Sequence, residues 1–223
     1  MNEKKLVGET AVDYVKEGMV LGLGTGSTVS YTIAKLGRLV QQGFSIKGVP
    51  SSVKTEKLAL EAGIPLAPLD QIEQIDLAID GADEVDLNFN LIKGGGGALL
   101  REKIIAKAAK SFIVVADSRK IVKKLGTFPL PVEVVPFGLR MTIKGIQDLG
   151  LSPEIRQIKG ALYKTDNGNN IVDCKLPEKI NLEHLEQNLN SIPGVVDNGL
   201  FIGMADTVMT VNNEKHIVVN VRK

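Results

Sequence analysis

The chain has 223 residues, 43% of them apolar, and its 27 basic and 26 acidic residues leave a formal net charge of +1. That length suffices for one large domain, or for a domain carrying a smaller one, and the even charge balance argues against nucleic acid or an anionic membrane as the main partner. The one cysteine, Cys174, excludes an internal disulfide and fits a reducing compartment.

The charged, amphipathic opening MNEKKLVGETAVDYVKEG lacks the apolar core of a signal peptide, and no run is long enough to span a bilayer. A cytoplasmic protein is expected. Short apolar runs then alternate with helical patterns: MVLGLG, STVSYTIAKLGRLVQQ, SIKGVPSS, TEKLALEAG, IDLAIDGAD, ALLREKIIAKAAK and SFIVVADS. The alternation predicts an α/β, Rossmann-like domain with a parallel sheet and helices on its faces. Ligands of such sheets bind beyond the carboxyl ends of the strands, where GLGTGST, VPSS, IDGADE and VVADSRK are expected to converge.

After Gly126 the texture changes. PLPVEVVP, FGLRMTIKGIQDLG, SPEIRQIKGALYKTDNGNNIVDCKLP, NLEHLEQNLNSI and GVVDNGLFIG read as β-α-β-β-α-β, with a hairpin signal from Asp166 to Asn169. This predicts a smaller α+β ferredoxin-like domain over residues 127–203, a candidate for oligomerisation. The tail MADTVMTVNNEKHIVVNVRK reads as one more hairpin returning to the first sheet, so residues 1–126 plus 204–223 form the expected catalytic domain.

GLGTGST joins a strand to a helix whose first amides and dipole make an anion site, with Thr25, Gly26, Ser27 and Thr28 lining it. The plain alternative is a capped strand-to-helix turn. It is no Walker loop, because the GK[ST] ending is missing. It is also a poor dinucleotide fingerprint, since Ser27 stands for the third glycine and the next strand ends in VPSS with no acid for a ribose diol. A smaller phosphorylated ligand remains.

IDGADEVD closes a strand with Asp80 and Asp83 flanking Gly81 and Ala82, suited to holding sugar hydroxyls and moving their protons. An Asx-rich turn and a magnesium site are the competing readings, and Glu84 and Asp86 read as surface acids. In KGGGGALLREK, Lys93 and the amides of Gly94, Gly95 and Gly96 can form an anion nest opening a helix, against a flexible loop as the alternative. Glu102, near that helix start, is either a surface acid or a cleft-facing general base. Lys120, after IVVADS, is a candidate phosphate ligand. His184 and His216 lie outside any recognisable nucleophile setting, so no hydrolase triad is expected.

Taken in order and at these spacings, GLGTGSTV, SSxxTEKLA, IDGADEVD, KGGGGALLREKIIA, FIVVADSRK and FPLPVEVVP resemble ribose-5-phosphate isomerase of type A. The similarity covers nearly the whole chain and includes DNGN and IPGVV; Val53-Lys54 departs from the commoner small or acidic pair. The resemblance implies interconversion of D-ribose 5-phosphate and D-ribulose 5-phosphate without metal or organic cofactor, in a homodimer or homotetramer. It implies substrate contacts at Thr25 to Thr28, Asp80 to Asp83, Lys93 to Gly96 and Lys120, with Glu102 as proton acceptor. Two other classes compete. A sugar-phosphate sensor would need a DNA-binding module, for which the segment before Val20 is too short. A sugar-phosphate deaminase or coenzyme A transferase on a similar scaffold is separated by its products.

Overall fold

The computed structural model describes residues 2–212 and 214–222. The chain forms two compact units: unit 1 is Met1–Ala82, Arg101–Ile121 and Gly203–Lys223, and unit 2 is Asp83–Leu100 and Val122–Ile202. Unit 1 begins with α1 (Glu3–Thr10), β1 (Val20–Leu23), α2 (Val29–Gln41), β2 (Lys47–Pro50), α3 (Val53–Glu61) and β3 (Leu77–Gly81). The chain then enters unit 2 for the short strands β4 (Glu84–Val85) and β5 (Leu91–Ile92), and returns along α4 (Leu99–Ala108) to β6 (Phe112–Val115). Unit 2 resumes with β7 (Leu130–Val134), α5 (Leu139–Asp148), β8 (Ser152–Ile155), β9 (Gln157–Ile158), β10 (Ala161–Leu162), β11 (Asn170–Lys175), α6 (Leu182–Asn190), β12 (Val195–Asn198) and β13 (Leu200–Phe201). Finally β14 (Thr207–Val211) and β15 (Ile217–Val221) belong to unit 1.

Unit 1 is built on a six-stranded sheet in the order β15-β14-β6-β3-β1-β2, parallel except for β15. Its inner strands are near-continuous buried apolar runs, FIVV in β6 and TVMTV in β14, as a sheet covered on both faces requires. Leu21, Leu23, Ile79, Ile113, Val115 and Met209 meet Val7, Val29, Ile33 and Leu36 of α1 and α2 in one core. Helix α3 starts at Val53 because Ser52, in extended conformation, accepts a hydrogen bond from the Thr55 amide. The chain steps from β1 outward to β2, then back across β1 to β3, so the order of strands reverses between β1 and β3. Crevices at such a reversal are the ligand sites of open parallel sheets.

The main sheet of unit 2 is antiparallel, in the order β12-β7-β11-β8, and its connections run β-α-β-β-α-β. This is the ferredoxin-like arrangement. Leu130, Val132, Val134, Val172 and Cys174 face a core shared with Ile146, Leu185 and Leu189. Alternation along the strands puts Glu133 and Asp173 on the opposite face. A second sheet, β13-β5-β4, pairs Leu200 with Ile92 and Ile92 with Glu84, which is why residues 83–100 cluster with unit 2 and not with the continuous stretch expected up to residue 126.

One turn differs from the sequence reading. Residues 165–169 do close a tight turn, with the Thr165 amide donating to Asn169 O and Gly168 at φ +81°. The β9-β10 hairpin, however, turns at Lys159 and Gly160, both with positive φ, a pair suited to a two-residue hairpin loop. No helix among the described residues is long and apolar enough to cross a membrane.

Cys174 is fully buried, and burial pushes its thiol up to about 12. A thiol so protonated and enclosed is inert. The folded protein is therefore expected to resist an aromatic disulfide reagent at pH 8 and to titrate one thiol after unfolding. Rapid labelling of the native protein would contradict this.

Candidate active site

Between β1 and α2, residues 24–28 turn over the carboxyl end of the unit 1 sheet. Gly26 lies at φ +134°, and the amides of Gly26, Ser27 and Thr28 meet no acceptor among the described residues. Lys4, from α1, donates to Ser27 Oγ at 2.8 Å. A phosphate-sized anion would thus find aligned amides, a helix dipole, hydroxyls and a cation together. The sequence reading missed Lys4, for nothing local marks a lysine of one helix as the neighbour of a loop before the next.

Thr25 has a different task from its neighbours. Its hydroxyl lies 2.8 Å from Ser51 Oγ, 2.8 Å from Ser52 Oγ and 3.0 Å from Thr55 Oγ1. Thr55 Oγ1 in turn donates to Gly24 O at 2.8 Å. The SSVKTEK motif is therefore the internal brace of the glycine loop, and Thr25 faces that brace with its side chain.

The Thr25 amide donates to Asp80 Oδ1 at 3.0 Å, and the Gly81 amide donates to the same oxygen at 2.7 Å. Asp80 is only 4% exposed, and two backbone donors fix its orientation. A Cβ on Gly24 would overlap this carboxylate, so glycine is required there by close approach. Ala82 follows as the last residue of this segment of unit 1 and is partly exposed.

In unit 2, Asp83 Oδ2 accepts the Gly95 amide at 2.7 Å. Lys93 is 2% exposed, and its ammonium stands 5.5 Å from the centre of the Phe201 ring. Burying an ammonium is costly without compensating partners, and a ring face supplies part of that compensation. Three of the four glycines have individual reasons. Gly94 and Gly97 adopt φ +96° and +77°, and a Cβ on Gly95 would stand 2.6 Å from Asp83 Oδ1. Arg156 Nη1 donates to the carbonyls of Gly94 and Gly95 at 3.0 and 3.1 Å, and the Tyr163 hydroxyl donates to Gly96 O at 3.2 Å. The segment is a braced turn, not a flexible loop.

Glu102 sits in the first turn of α4 and is 5% exposed, so it is not the surface acid that one reading of the sequence allowed. Lys120 ends a short turn of helix after β6, its amide donating to Asp117 O at 3.0 Å. Glu84 corrects an expectation. It is 4% exposed and accepts the amides of Gly126 and Phe128 at 2.7 Å each, a structural anchor and not a surface acid. Asp86 shapes its own turn, accepting the Asn88 and Asn90 amides at 2.8 Å. His184 is exposed, and the exposed His216 approaches Glu214 at 3.4 Å. Among the described residues no three His, Cys, Asp or Glu side chains are grouped to hold a metal ion.

The pattern of the family "Ribose 5-phosphate isomerase A (phosphoriboisomerase A)" matches residues 47–215. The chain is 52% identical to ribose-5-phosphate isomerase A of Bacillus mycoides (strain KBAB4), over 92% of this chain and 93% of that one. The ribose 5-phosphate isomerase of Plasmodium falciparum superposes with a TM-score of 0.95 at 37% identity, over 99% of this chain and 98% of that one. A D-ribose-5-phosphate isomerase solved in complex with phospho-erythronic acid gives a TM-score of 0.95 at 43% identity over the whole of both chains. By sequence over most of its length and by fold, the chain belongs to the ribose 5-phosphate isomerase A family.

Proposed function

We propose that the protein interconverts D-ribose 5-phosphate and D-ribulose 5-phosphate through an enediolate, as a step of the non-oxidative pentose phosphate pathway. One observation carries the local chemistry: the Thr25 amide ties the anion loop to Asp80, so a phosphate seat and a hydroxyl-reading carboxylate are joined by one hydrogen bond. A sugar phosphate presents those two features. Relatives of the same family support the reading, and one of them binds phospho-erythronic acid, a phosphorylated sugar acid.

In this reading the Gly26, Ser27 and Thr28 amides, with Lys4 and Lys120, hold the phosphate. Asp80 and Asp83 accept and return hydroxyl protons as the furanose opens, one proton leaving the anomeric hydroxyl and one reaching the ring oxygen. Glu102 takes the proton from C2, and the electron pair moves onto O1 to give the enediolate; the O2 hydroxyl proton then passes to O1 while the same carboxyl, in competition with exchange of its proton into water, protonates C1 and leaves the C2 ketone. Lys93 and the amides of Gly94 and Gly96 stabilise the negative charge while it lasts, the Gly95 amide being held by Asp83. Charge stabilisation by oriented donors that need no reorganisation is commonly the largest single contribution to such a step.

Localisation in the cytoplasm and assembly as a homodimer or homotetramer belong to the same proposal. The test is product analysis: purified protein, exhaustively dialysed against chelator, is expected to convert ribose 5-phosphate to ribulose 5-phosphate and to no deaminated or acyl-transfer product. Failure to form the ketose, or activity restored only by a divalent ion, would overturn it.

A further inference from the structure

The glycine segment is held from one side by Arg156 and Tyr163. Arg156 engages Asp173 side-on, Nε to Oδ2 at 2.8 Å and Nη2 to Oδ1 at 2.5 Å, which turns the remaining Nη1 toward Gly94 O and Gly95 O. These two carbonyls belong to consecutive peptides, and each trans peptide points its N–H opposite to its C=O. With both carbonyls directed at one nitrogen, the amides of Gly95 and Gly96 point to the other side together. Two adjacent amides so aligned form an anion-binding concavity. Gly95 N spends its proton on Asp83 Oδ2 at 2.7 Å, which marks the side the pair faces. Gly96 N has no acceptor among the described residues.

Tyr163 fixes the next peptide through Gly96 O, and its ring lies 5.7 Å from the Arg156 guanidinium carbon. The chain beyond Tyr163 is pinned in turn. Glu133, fully buried on the polar face of β7, accepts Thr165 Oγ1, Asn167 Nδ2 and Asn169 Nδ2 on Oε1 at 2.9, 3.1 and 2.8 Å. The TDNGN motif thereby acquires a purpose beyond turning the chain, for it fixes the strap that carries Tyr163.

We propose that Arg156 and Tyr163 are positioning residues for the isomerisation, holding the carbonyl edge of residues 94–96 so that the Gly96 amide is aimed at the developing oxyanion. The inference rests on the reading of Lys93 and its glycines as the charge-stabilising site. Lysine cannot replace Arg156, because a single ammonium cannot grip Asp173 side-on and two carbonyls at once.

The test compares Arg156→Lys, Arg156→Ala and Tyr163→Phe for kcat, for KM toward ribose 5-phosphate, and for the Kd of phospho-erythronate, whose carboxylate stands in for the enediolate. Removing one oxyanion donor costs about a hundredfold to a thousandfold, and misaiming it should cost about tenfold to a hundredfold. Arg156→Lys is expected to lower kcat by that factor, to leave KM within about twofold, and to weaken phospho-erythronate by about the factor lost in kcat. Low millimolar guanidinium is expected to restore part of the kcat of Arg156→Ala. Tyr163→Phe, which keeps the ring, is expected to show the same pattern more weakly. Unchanged kcat in both Arg156→Lys and Tyr163→Phe, or losses that follow only the unfolded fraction in a melt, would overturn the proposal. Lys93→Met separates the two layers. If it retains full kcat, the charge-stabilising reading fails and takes this proposal with it; if it is inactive while the Arg156 and Tyr163 variants are unaffected, only the positioning role fails.

Discussion

Glu102→Gln is expected to lower kcat by about a hundredfold to ten-thousandfold, the usual cost of removing a positioned general base. The substitution keeps size and shape, so a side chain that is 5% exposed can be exchanged without opening a cavity. KM should change little, because an amide still fills the place of the carboxyl. The decisive measurement is solvent exchange at C2. In deuterated water the parent enzyme should wash deuterium into C2 of ribose 5-phosphate, and Glu102→Gln should not. A variant that turns over within about threefold of the parent, or still exchanges C2, would assign the base elsewhere.

Gly24→Ala should be strongly damaging although it replaces no ionisable group. The added Cβ would overlap the Asp80 carboxylate, so either Asp80 gives up the Thr25 and Gly81 amides or the end of β1 moves. Displacing a reacting group by about 1 Å can cost a hundredfold in rate, and overpacking costs about 1–3 kcal/mol in stability. A hundredfold loss in kcat/KM in a protein that still unfolds cooperatively in urea is therefore expected. Gly43→Ala is the control. Gly43 is left-handed, at φ +96°, which Gly24 is not, and a Cβ there meets nothing within 4 Å. It should lose stability and keep its activity, and equal activity losses in both variants would remove the argument from Asp80.

What could be read from the sequence followed from local physics. Apolar strand runs alternating with helical patterns give the parallel sheet of unit 1, because burial on both faces leaves that signature. Asp80 at the carboxyl end of LAID, and glycines in the turn before α2, are likewise visible from spacing. What escaped depends on contacts between distant residues. Thr25 reads as a ligand hydroxyl until Ser51, Ser52 and Thr55 are found around it. Glu84 reads as a surface acid because its two amide partners lie more than forty residues on. Arg156 and Tyr163 carry no motif, and their link to the glycines 61 to 67 residues earlier exists only in the fold. Lys159-Gly160 is the exception: its hairpin turn is a local signal, masked in the sequence by the stronger Asn-Gly pair nearby.

The place of β14 sets an order of events during synthesis. It lies between β6 and β15, yet it is made after every strand of unit 2. A nascent chain is released from its N-terminus onward, and domains generally fold as units. Until residues 207–211 have emerged, β6 has an unpaired edge of FIVV, the kind of apolar edge that invites association with other chains. The four-stranded sheet of unit 2 is contiguous from Leu130 to Asn198 and has no such wait. The polypeptide thus completes its internal insertion before the sheet that surrounds it in sequence, and a ribosome stalled ahead of Thr207 would display one finished sheet and one unfinished.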